Sequence, residues 1–249
     1  MATFKRTKQM NFFVYVDTVV FTINPNRDVE PRDRLEVLVM KRPEGKAGKW
    51  ALPGGLVGEN EKLTDTSIRK VAEETGLRLK PSDLHHVGAY GDPDRDDRFR
   101  AIAIAYMALV PHPEQLKPTF NSDEASFIPY RRLRDKRLLE FDHSNIIYDA
   151  RKAARQMLED TNVALSFCNP KFTISELRGV YEAFLQYRVD PANFRRKVDA
   201  VDGLVVPIDE LSDFGSLPGR PAQMYKAGRT TTLSSPIRFR RTAETKPRR

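Results

Sequence analysis

Residues 54–77, GGLVGENEKLTDTSIRKVAEETGL, constrain the fold more than any other stretch of this chain. Two adjacent glycines open the stretch, and a helical pattern with Leu63, Ile68 and Val71 on one apolar face follows them. Acidic and basic residues occupy most other positions of this helix. The pattern therefore predicts a glycine turn that leads into an amphipathic helix over 62–75.

The spacing of this stretch resembles the Nudix box, a glycine turn and helix whose glutamates hold magnesium. Eight of its nine defining positions fit, and they are Gly55, Glu61, Arg69, Val71, Glu73, Glu74, Gly76 and Leu77. The ninth position, a glutamate in the box, is Lys70. The resemblance implies an N-terminal Nudix-type α/β/α sandwich built on a mixed sheet. The alternative is a plain charged surface helix.

Lys70 changes the chemistry that this helix offers. Residues 70 and 74 lie one turn apart on the same face, so two carboxylates there would converge on one cation. Mg²⁺ requires oxygen ligands in a tight octahedron, and an ammonium has no lone pair to give. We expect a Lys70–Glu74 ion pair, an Arg69–Glu73 pair and a loss of hydrolysis. Glu61, Glu73 and Glu74 are the catalytic candidates, and the ligands of a residual metal site, if activity is retained.

Length and composition bound the class of protein. The chain has 249 residues, enough for two modest domains, and its 40% apolar content supports real cores. No run approaches the roughly 18–20 apolar residues of a membrane helix, and the N-terminus lacks a signal-peptide pattern. A single cysteine, Cys168, excludes an internal disulfide, and the four histidines show no metal-ligand spacing. These features predict a cytoplasmic protein.

The net charge of +8 is concentrated at the C-terminus. Residues 229–249 carry 7 basic and 1 acidic side chains, a net +6. We expect this tail to be disordered. It either attracts a polyanion in a salt-dependent way or only keeps the protein soluble, and the sequence leaves both interpretations open.

Strand patterns predict the rest of the first domain. Four segments rich in β-branched and aromatic residues are expected as strands, and they are 12–23, 35–42, 84–90 and 101–110. A helix from Ser144 to residue 160 is expected to connect this domain, residues 1–160, to the next. Alternating strands and helices of this kind favour an α/β sandwich.

The second domain, residues 161–228, begins with two short helices. Thr173 and Glu176 form a Thr-x-x-Glu capping box for the first helix, ISELRGVYEAFLQ. Asp190 can cap the second helix, PANFRRKVDAV, with proline at its first position. In the second helix Phe194 and its apolar neighbours face inward, so Asn193 and Arg196 face outward. Amide and guanidinium groups pair well with adenine and guanine edges.

Two further segments, 204–208 and 219–226, are expected to be strands of a β-wing. Arg220 lies there between a glycine and a proline, on a stiff segment that suits insertion beside phosphates or into a minor groove. Two helices, a tight turn and a wing together predict a C-terminal winged helix-turn-helix domain. The alternative for the domain is a small helical interaction module. The alternative for Arg220 is an ordinary surface arginine.

The strings FTISEL, VYEAFL, NFRRKV and GRPAQMY, downstream of the Nudix-like stretch, resemble Nudix-related transcriptional regulators of NAD metabolism, the NrtR type. The resemblance covers roughly residues 12–228. It implies a homodimeric bacterial repressor of NAD biosynthesis or related genes that binds a palindromic operator and needs no cofactor. The DNA contacts would come from Thr173, Ser175, Asn193, Arg195, Arg196, Lys197 and Arg220.

By the same resemblance the Nudix half senses ADP-ribose or a related NAD metabolite. The ligand would lie against Gly54, Gly55, Arg69, Lys70, Glu73 and Glu74. Arg98 and Arg100 would add guanidinium contacts to its diphosphate, whereas internal Asp–Arg pairs are favoured for Arg95. Trp50 is a candidate for stacking on the base, with a position in the core as the alternative.

Two other functions stay open on the sequence. One is an active Mg²⁺-dependent ADP-ribose pyrophosphatase whose second domain only helps it to dimerise. The other is an RNA-processing Nudix protein that uses the basic tail. In the leading hypothesis, ligand in the Nudix cleft changes DNA affinity through a population shift. The sequence shows the two sites but not the sign of their coupling.

Overall fold

The computed structural model describes residues 11–42, 48–113, 116, 124–211 and 221–240. Its backbone contacts divide the chain into two compact units. The first unit comprises Met1–Phe21, Val37–Ile128 and Arg132–Ala150, and the second comprises Thr22–Glu36, Pro129–Arg131 and Arg151–Arg249. In the described ranges no helix is long and apolar enough to cross a membrane.

A mixed, six-stranded sheet forms the framework of the first unit. Its strands are β1 (Phe13–Ile23), β2 (Leu35–Lys41), β3 (Gly54–Leu56), β4 (His85–Tyr90), β5 (Ala101–Leu109) and β6 (Glu124–Pro129). The order is β4-β5-β1-β2-β6, and β3 also pairs with β1. β1 runs parallel to β5 and antiparallel to β3, which confirms the predicted mixed sheet. Residues 16–22 of β1 are buried on both faces, as in a central strand.

The glycine turn and its helix form as the spacing predicts. Helix α1 spans Leu63–Thr75 and ends at Gly76, whose φ of 75° is a left-handed conformation that glycine adopts without strain. Val71 is fully buried and packs in a core cluster with Val20 and Leu38. Packing of this apolar face holds the charged face of α1 in a defined position beside the turn.

Helix α3 confirms the helix predicted over 144–160. Short helix α2 (Tyr130–Leu133) precedes α3, which spans His143–Asp160. The division between the two units falls after Ala150, inside α3. The expected domain limits of 1–160 and 161–228 stay a prediction. Sequence reasoning missed α2, β3 and β6, because elements of three to six residues carry too little periodicity to stand out.

The second unit contains the predicted helix pair and wing. Its elements are β7 (Phe172–Thr173), α4 (Ile174–Leu185), α5 (Pro191–Asp199), β8 (Val205–Leu211) and β9 (Gln223–Ala227). The three strands form an antiparallel sheet in the order β7-β9-β8. The capping box at Thr173 and Glu176 is present, and the Asp190 side chain accepts the Asn193 amide at the start of α5. These contacts confirm both predicted helix starts.

The loop after β1 packs on α4 within this second unit. Arg27 forms an ion pair with Glu176 at 2.8 Å. At the other end of α4, the Gln186 side-chain amide donates to the carbonyl of Arg32 at 2.9 Å. A Cβ added at Gly179 would lie 3.5 Å from the ring of Pro31, so the loop reaches the middle of the helix as well. The loop between β1 and β2 is therefore ordered along its contact with α4.

Residues 229–240 contradict the expectation of a disordered tail. Leu233, Ile237 and Phe239 are 7%, 0% and 5% exposed. The amide of Ile237 donates to the carbonyl of Glu159 at 2.9 Å. Apolar side chains between the basic ones therefore pack inward, which the charge count alone did not reveal. Residues 241–249 lie outside the described residues.

Cys168 is the single cysteine of the sequence. It follows the 3₁₀ turn Asn162–Phe167, and its amide donates to the carbonyl of Leu165. Burial raises the pKa of the Cys168 thiol to about 12. The thiol therefore stays protonated and unreactive at neutral pH.

Substitution of Leu38 should destabilise the first unit. Leu38 is fully buried, and Leu38→Ala should lower the free energy of unfolding by about 2–5 kcal/mol because it leaves a cavity. Trp50, the only tryptophan, is buried in the same unit, so its fluorescence during urea unfolding reports the change. Leu211 is 63% exposed, and Leu211→Ala should leave this transition in place. Equal midpoints for both variants would contradict this core assignment.

Candidate effector cavity and DNA-binding surface

A cavity of about 380 Å³ lies beside the glycine turn and α1 in the first unit. Among the residues predicted to bind an effector, those in its wall are Gly54, Gly55, Lys70, Glu74 and Arg98. Sequence reasoning did not single out five other wall residues, which are Tyr15, Asp17, Arg42, Phe141 and His143. The cavity brings cations, carboxylates and aromatic rings together, and its volume suits a small molecule.

Lys70 lies flat on the glycine turn. A Cβ at Gly55 would lie 2.5 Å from Cε of Lys70, so the glycine makes room for the lysine side chain. The Lys70 ammonium lies 3.1 Å from Oε2 of Glu73. Glu74, the predicted partner, is turned inward and accepts the amide of Gly54 at 2.9 Å. The predicted Lys70–Glu74 pair is thus corrected to Lys70–Glu73, because the Gly54 amide draws the Glu74 carboxylate toward the turn.

Arg69 engages two of the glutamates that were candidates for catalysis. Its Nε and Nη2 donate to the two carboxylate oxygens of Glu61 at 2.6 and 2.7 Å. Its Nη1 reaches Glu73 at 3.2 Å, which confirms the predicted Arg69–Glu73 pair. The hydrogen bonds from Arg69 lower the pKa of Glu61 to about 2. Glu61 is therefore ionised, and both of its oxygens are already bound to a guanidinium.

The described residues do not fit a magnesium site. Oxygens of Glu61 and Glu73 bind Arg69 and Lys70, and the ammonium of Lys70 adds a positive charge beside them. Burial raises the pKa of Glu74 to about 7, so near neutral pH a large fraction of it is protonated and a poor metal ligand. Within the described ranges no three or more histidine, cysteine, aspartate or glutamate side chains could hold a metal ion.

One wall of the cavity contains a buried ionic cluster. Nη2 of Arg95 lies 3.2 Å from Asp17 and 2.8 Å from Asp142, and the Arg95 side chain is 4% exposed. Arg95 therefore forms internal ion pairs, as favoured from the sequence, but with aspartates outside its own loop and away from solvent. The cluster joins β1, the 91–100 loop and the residue just before α3.

His143 lies beside Asp17 of this cluster, and both side chains can bind a proton. Nδ1 of His143 accepts the amide of Leu52 at 3.0 Å, and burial lowers the pKa of His143 to about 4. The imidazole is therefore neutral, with its hydrogen on Nε2, which lies 3.7 Å from Asp17. Burial raises the pKa of Asp17 to about 6. Asp17 is the member of this pair that exchanges a proton in the physiological range.

Arg98 and Phe141 lie in the part of the wall where a guanidinium contacts aromatic rings. The Arg98 guanidinium lies 4.9 Å from the ring centre of Phe99 and 5.5 Å from that of Phe141, and it also donates two hydrogen bonds to Asp96. Phe141 has a φ of 49°, a left-handed conformation that is uncommon for a bulky residue. A second cavity, of about 530 Å³, shares Arg98 and Phe141 with the first. The guanidinium is thus held in place by two rings and a carboxylate.

Four predicted effector contacts lie outside the wall, and they are Trp50, Arg69, Glu73 and Arg100. Trp50 is 7% exposed and does not line the cavity, and the ammonium of Lys41 lies 4.8 Å from its ring centre. This is the core position that the sequence left as the alternative. Arg100 donates to the carbonyl of Asp92 at 3.0 Å and is also outside the wall. The folded loop places Arg98 in the wall and Arg100 outside it. Sequence spacing does not encode this difference.

Helix α5 presents its polar face to solvent, as predicted. Phe194 and Val198 are buried, whereas Arg195 and Arg196 are exposed. Nη2 of Arg196 donates to the side-chain oxygen of Asn193 at 2.9 Å, so the amide and the guanidinium lie together. Their remaining donors are available to a partner on the outer face of the helix.

The other predicted DNA contacts are spread around α4 and α5. Arg195 pairs with Asp199 at 2.7 Å and lies 5.2 Å from the ring centre of Tyr225 on β9. Ser175 is exposed near the start of α4, where the hydroxyl of Thr173 already accepts an amide as the helix cap. The predicted wing residue Arg220 lies outside the described residues.

Comparisons with known proteins show that each half of the chain matches a known domain family. Residues 18–150, more than half of the chain, match the NUDIX domain, and residues 164–227 match the NrtR DNA-binding winged helix domain. The chain belongs to the Nudix family. Its Nudix α/β domain is followed by a winged helix domain of the NrtR type, which confirms the predicted fold and family resemblance.

One relative of this chain is a repressor whose similarity extends over both domains. The ADPR responsive transcriptional repressor NtrR of Acinetobacter baylyi is 25% identical over 229 residues, which cover 91% of this chain and 86% of the repressor. The ADP-ribose pyrophosphatase of Methanocaldococcus jannaschii is 36% identical over 118 residues, or 47% of this chain and 66% of the enzyme. The enzyme therefore matches less than half of the chain.

The solved structures agree with this division. Shewanella oneidensis NrtR complexed with a 27mer DNA has a TM-score of 0.66 at 25% identity, and the match covers 90% of this chain and 99% of NrtR. The NUDIX domain of the same NrtR, complexed with ADP ribose, has a TM-score of 0.51 at 25% identity over 61% of this chain and 94% of that domain. The fold of the regulator thus extends over both halves of this chain.

The raised pKa of Glu74 predicts a pH dependence of stability in the Nudix domain. Glu74 binds its proton more tightly in the folded state, where its pKa is about 7, than in the unfolded state, where it is about 4.5. Stability relative to Glu74→Gln should therefore be greatest below pH 4.5 and fall as the pH rises to about 7. Melting temperatures of both proteins between pH 4.5 and 8 measure this difference.

Glu73→Gln is the matched control for this measurement. Burial opposes ionisation of Glu73, but hydrogen bonds from Lys70 and Arg69 outweigh it and hold the pKa of Glu73 below its usual value. The difference between wild type and Glu73→Gln should therefore stay constant above pH 5. Parallel curves for wild type and Glu74→Gln would show that Glu74 ionises normally.

Proposed function

We propose that this protein is an ADP-ribose-responsive transcriptional repressor whose Nudix domain binds the effector and whose winged helix binds operator DNA. The observation that carries the proposal is a DNA-binding winged helix joined to a Nudix domain in which Arg69 and Lys70 engage the glutamates of the box. The functions of two relatives support it. A. baylyi NtrR is an ADPR responsive repressor, and S. oneidensis NrtR is known in complexes with DNA and, for its NUDIX domain, with ADP ribose.

The cavity has the charges that a diphosphate needs. Lys70, Arg42 and Arg98 all line it, and the diphosphate of ADP-ribose carries two negative charges. Guanidinium groups offer paired donors to phosphate oxygens, and the ammonium of Lys70 adds a third cation with freely rotating donors. Binding would draw Lys70 away from Glu73, with which it forms a half-buried ion pair.

We infer that the Nudix domain binds ADP-ribose without cleaving it. Hydrolysis in this family needs a metal ion held by carboxylates of the box, and the ion would polarise the diphosphate and activate water. In this chain Glu61 is bound through both oxygens to Arg69, Glu74 accepts the Gly54 amide, and Lys70 replaces a further carboxylate. A ligand that is held but not cleaved can act as a signal.

The DNA-binding half supplies the output. We propose that two copies of the chain form a homodimer, so that two α5 helices meet a palindromic operator in successive major grooves. Asn193 and Arg196 would read bases, whereas Arg195 and Lys197 would contact phosphates. The regulated genes would be those of NAD biosynthesis or related pathways, and the protein would act in the cytoplasm, on the chromosome. ADP-ribose changes DNA affinity by no more than its own differential affinity for the two states.

An active ADP-ribose pyrophosphatase is the second candidate. It is favoured by the M. jannaschii enzyme, which is 36% identical to this chain over 118 residues. That likeness leaves the winged helix without a role, because it covers 47% of this chain. We therefore place this candidate behind the repressor.

Mobility shift on duplex DNA tests the proposed function. DNA upstream of the protein's own gene and of NAD-synthesis genes should be retarded, and added ADP-ribose should change the retarded fraction. Lys70→Gln removes one charge-assisted contact, so the dissociation constant of ADP-ribose should rise about tenfold or more. Calorimetry measures this change. A higher ADP-ribose concentration should then be needed for the same change in the DNA shift.

Three outcomes would count against this proposal. A wild-type protein that ignores duplex promoters is not a repressor of this type. Release of AMP from ADP-ribose with Mg²⁺ by the wild-type protein would support the pyrophosphatase, and Lys70→Glu serves as the comparison with a restored box carboxylate. Retention of single-stranded RNA but not of duplex DNA would favour the RNA-processing alternative.

Substitution of Arg196 tests the recognition helix. Arg196→Ala should cost about 1–3 kcal/mol of operator binding and reduce the preference for operator over random duplex, because a base contact is lost. The matched control is Arg137→Ala, an arginine of the Nudix domain whose side chain is 90% exposed. Fluorescence anisotropy with both duplexes measures the two affinities. An unchanged preference in Arg196→Ala would show that α5 does not read bases through this residue.

A further inference from the structure

The chain continues beyond the winged helix match and returns over the second unit. The match ends at residue 227, and residues 233–239, which we call the C-terminal strap, follow it. Leu233, Ile237 and Phe239 in the strap are all buried. A segment with three buried apolar side chains in seven positions belongs to the core of its domain.

Backbone hydrogen bonds attach the strap to the end of α3. The amide of Leu233 donates to the carbonyl of Asp160, and the amide of Ile237 donates to that of Glu159, both at 2.9 Å. These carbonyls lie in the last turn of α3, where a helix has no internal partners for them. Arg238 adds ion pairs with Asp160 at 3.1 Å and Glu159 at 3.5 Å. The strap thus caps α3.

Phe239 packs the strap against the buried face of α5. Its ring stacks on Phe194 at 5.6 Å between centres with 21° between planes, and it meets the edge of Tyr181 at 6.2 Å. The hydroxyl of Tyr187 donates to the Phe239 carbonyl at 2.8 Å. Phe194 is the fully buried anchor of α5, and Tyr181 belongs to α4. Phe239 therefore completes a cluster of three rings between the two helices.

The same ring also meets a predicted DNA contact. Nζ of Lys197 lies 5.7 Å from the centre of the Phe239 ring, within the range of a cation–π attraction. Lys197 is three residues after Phe194, so the two side chains are neighbours along one side of α5. Phe239 thus contacts both the buried anchor of the helix and Lys197, one of its half-buried cations.

The length of α5 makes this support important. The helix has nine residues, and isolated helices shorter than about 12–15 residues are marginal in water. Its orientation therefore depends on packing of Phe194 and Val198, the two buried side chains within it. Removal of the Phe239 ring would leave Phe194 without its stacking partner.

We propose that the C-terminal strap is a built-in support of the recognition helix and that Phe239 is a positioning residue for duplex DNA binding. The ring fixes the tilt of α5 and directs Lys197 toward the DNA backbone, without touching DNA itself. The part of this inference that concerns DNA rests on the proposed function. The part that concerns the order of α5 does not.

Phe239→Ala tests the inference in the full-length protein. If the competent orientation of α5 falls to about one-tenth of the population, operator affinity falls about tenfold. The preference for operator over random duplex should shrink with it, and amide hydrogen exchange in residues 194–199 should accelerate. ADP-ribose affinity and the unfolding transition of Trp50 should not change. Phe239→Leu keeps an apolar side chain in the site and should recover part of the affinity and of the protection from exchange.

A shorter chain that ends at Arg240 is the matched control. It keeps the strap but lacks residues 241–249, so its affinity for operator and for random duplex should fall by the same factor. Wild-type affinity and preference in Phe239→Ala, or unchanged exchange in residues 194–199, would overturn the inference. A wild-type protein that binds no duplex would sink the proposed function instead, and accelerated exchange in Phe239→Ala would still identify the strap as the support of α5.

Discussion

The close approach of Gly54 to β1 determines the geometry of the effector cavity. A Cβ at Gly54 would lie 2.3 Å from the carbonyl oxygen of Val16, so only glycine permits this contact. The Gly54 amide at the same time binds the Glu74 carboxylate on α1. One residue without a side chain therefore joins the central strand to the charged helix. The bare backbone of Gly55 beside it leaves room for Lys70.

Lys70 makes the charges of this site differ from those of the Nudix box. In the Nudix box the position of Lys70 is a glutamate, whereas here Lys70 joins Arg69, an arginine that fits the box, in pairing with Glu73. Glu74, buried and partly protonated near neutral pH, adds little negative charge to the cavity. Together these features reduce the repulsion that a diphosphate would meet.

Local patterns predicted much of this molecule, and long-range contacts account for most of the remainder. The limits of α1 and the caps of α4 and α5 follow from residues within one turn of each other, so the sequence carries them directly. The cluster of Asp17, Arg95 and Asp142 joins residues 78 and 47 positions apart, and only the folded sheet brings them together. Phe141 and His143 were missed for the same reason.

Errors in prediction came from side chains that satisfied two patterns equally well. Trp50 precedes the glycine turn as a base-stacking residue would, yet the pairing of its backbone with residues 138 and 140 places the ring in the core. The basic C-terminus was taken as disordered because its charges outnumber its apolar residues. Ile237 and Phe239 alternate there with Arg238 and Arg240, and this short amphipathic rhythm is the signal that was overlooked.

The inert thiol of Cys168 makes the chain convenient for spectroscopy. With a pKa of about 12, the native cysteine reacts poorly with maleimides and similar reagents at neutral pH. A cysteine introduced on the exposed face of the wing, at Lys226 for example, would carry a fluorophore or spin label almost alone. Motions of the wing during titrations could then be followed without first removing the native sulfur.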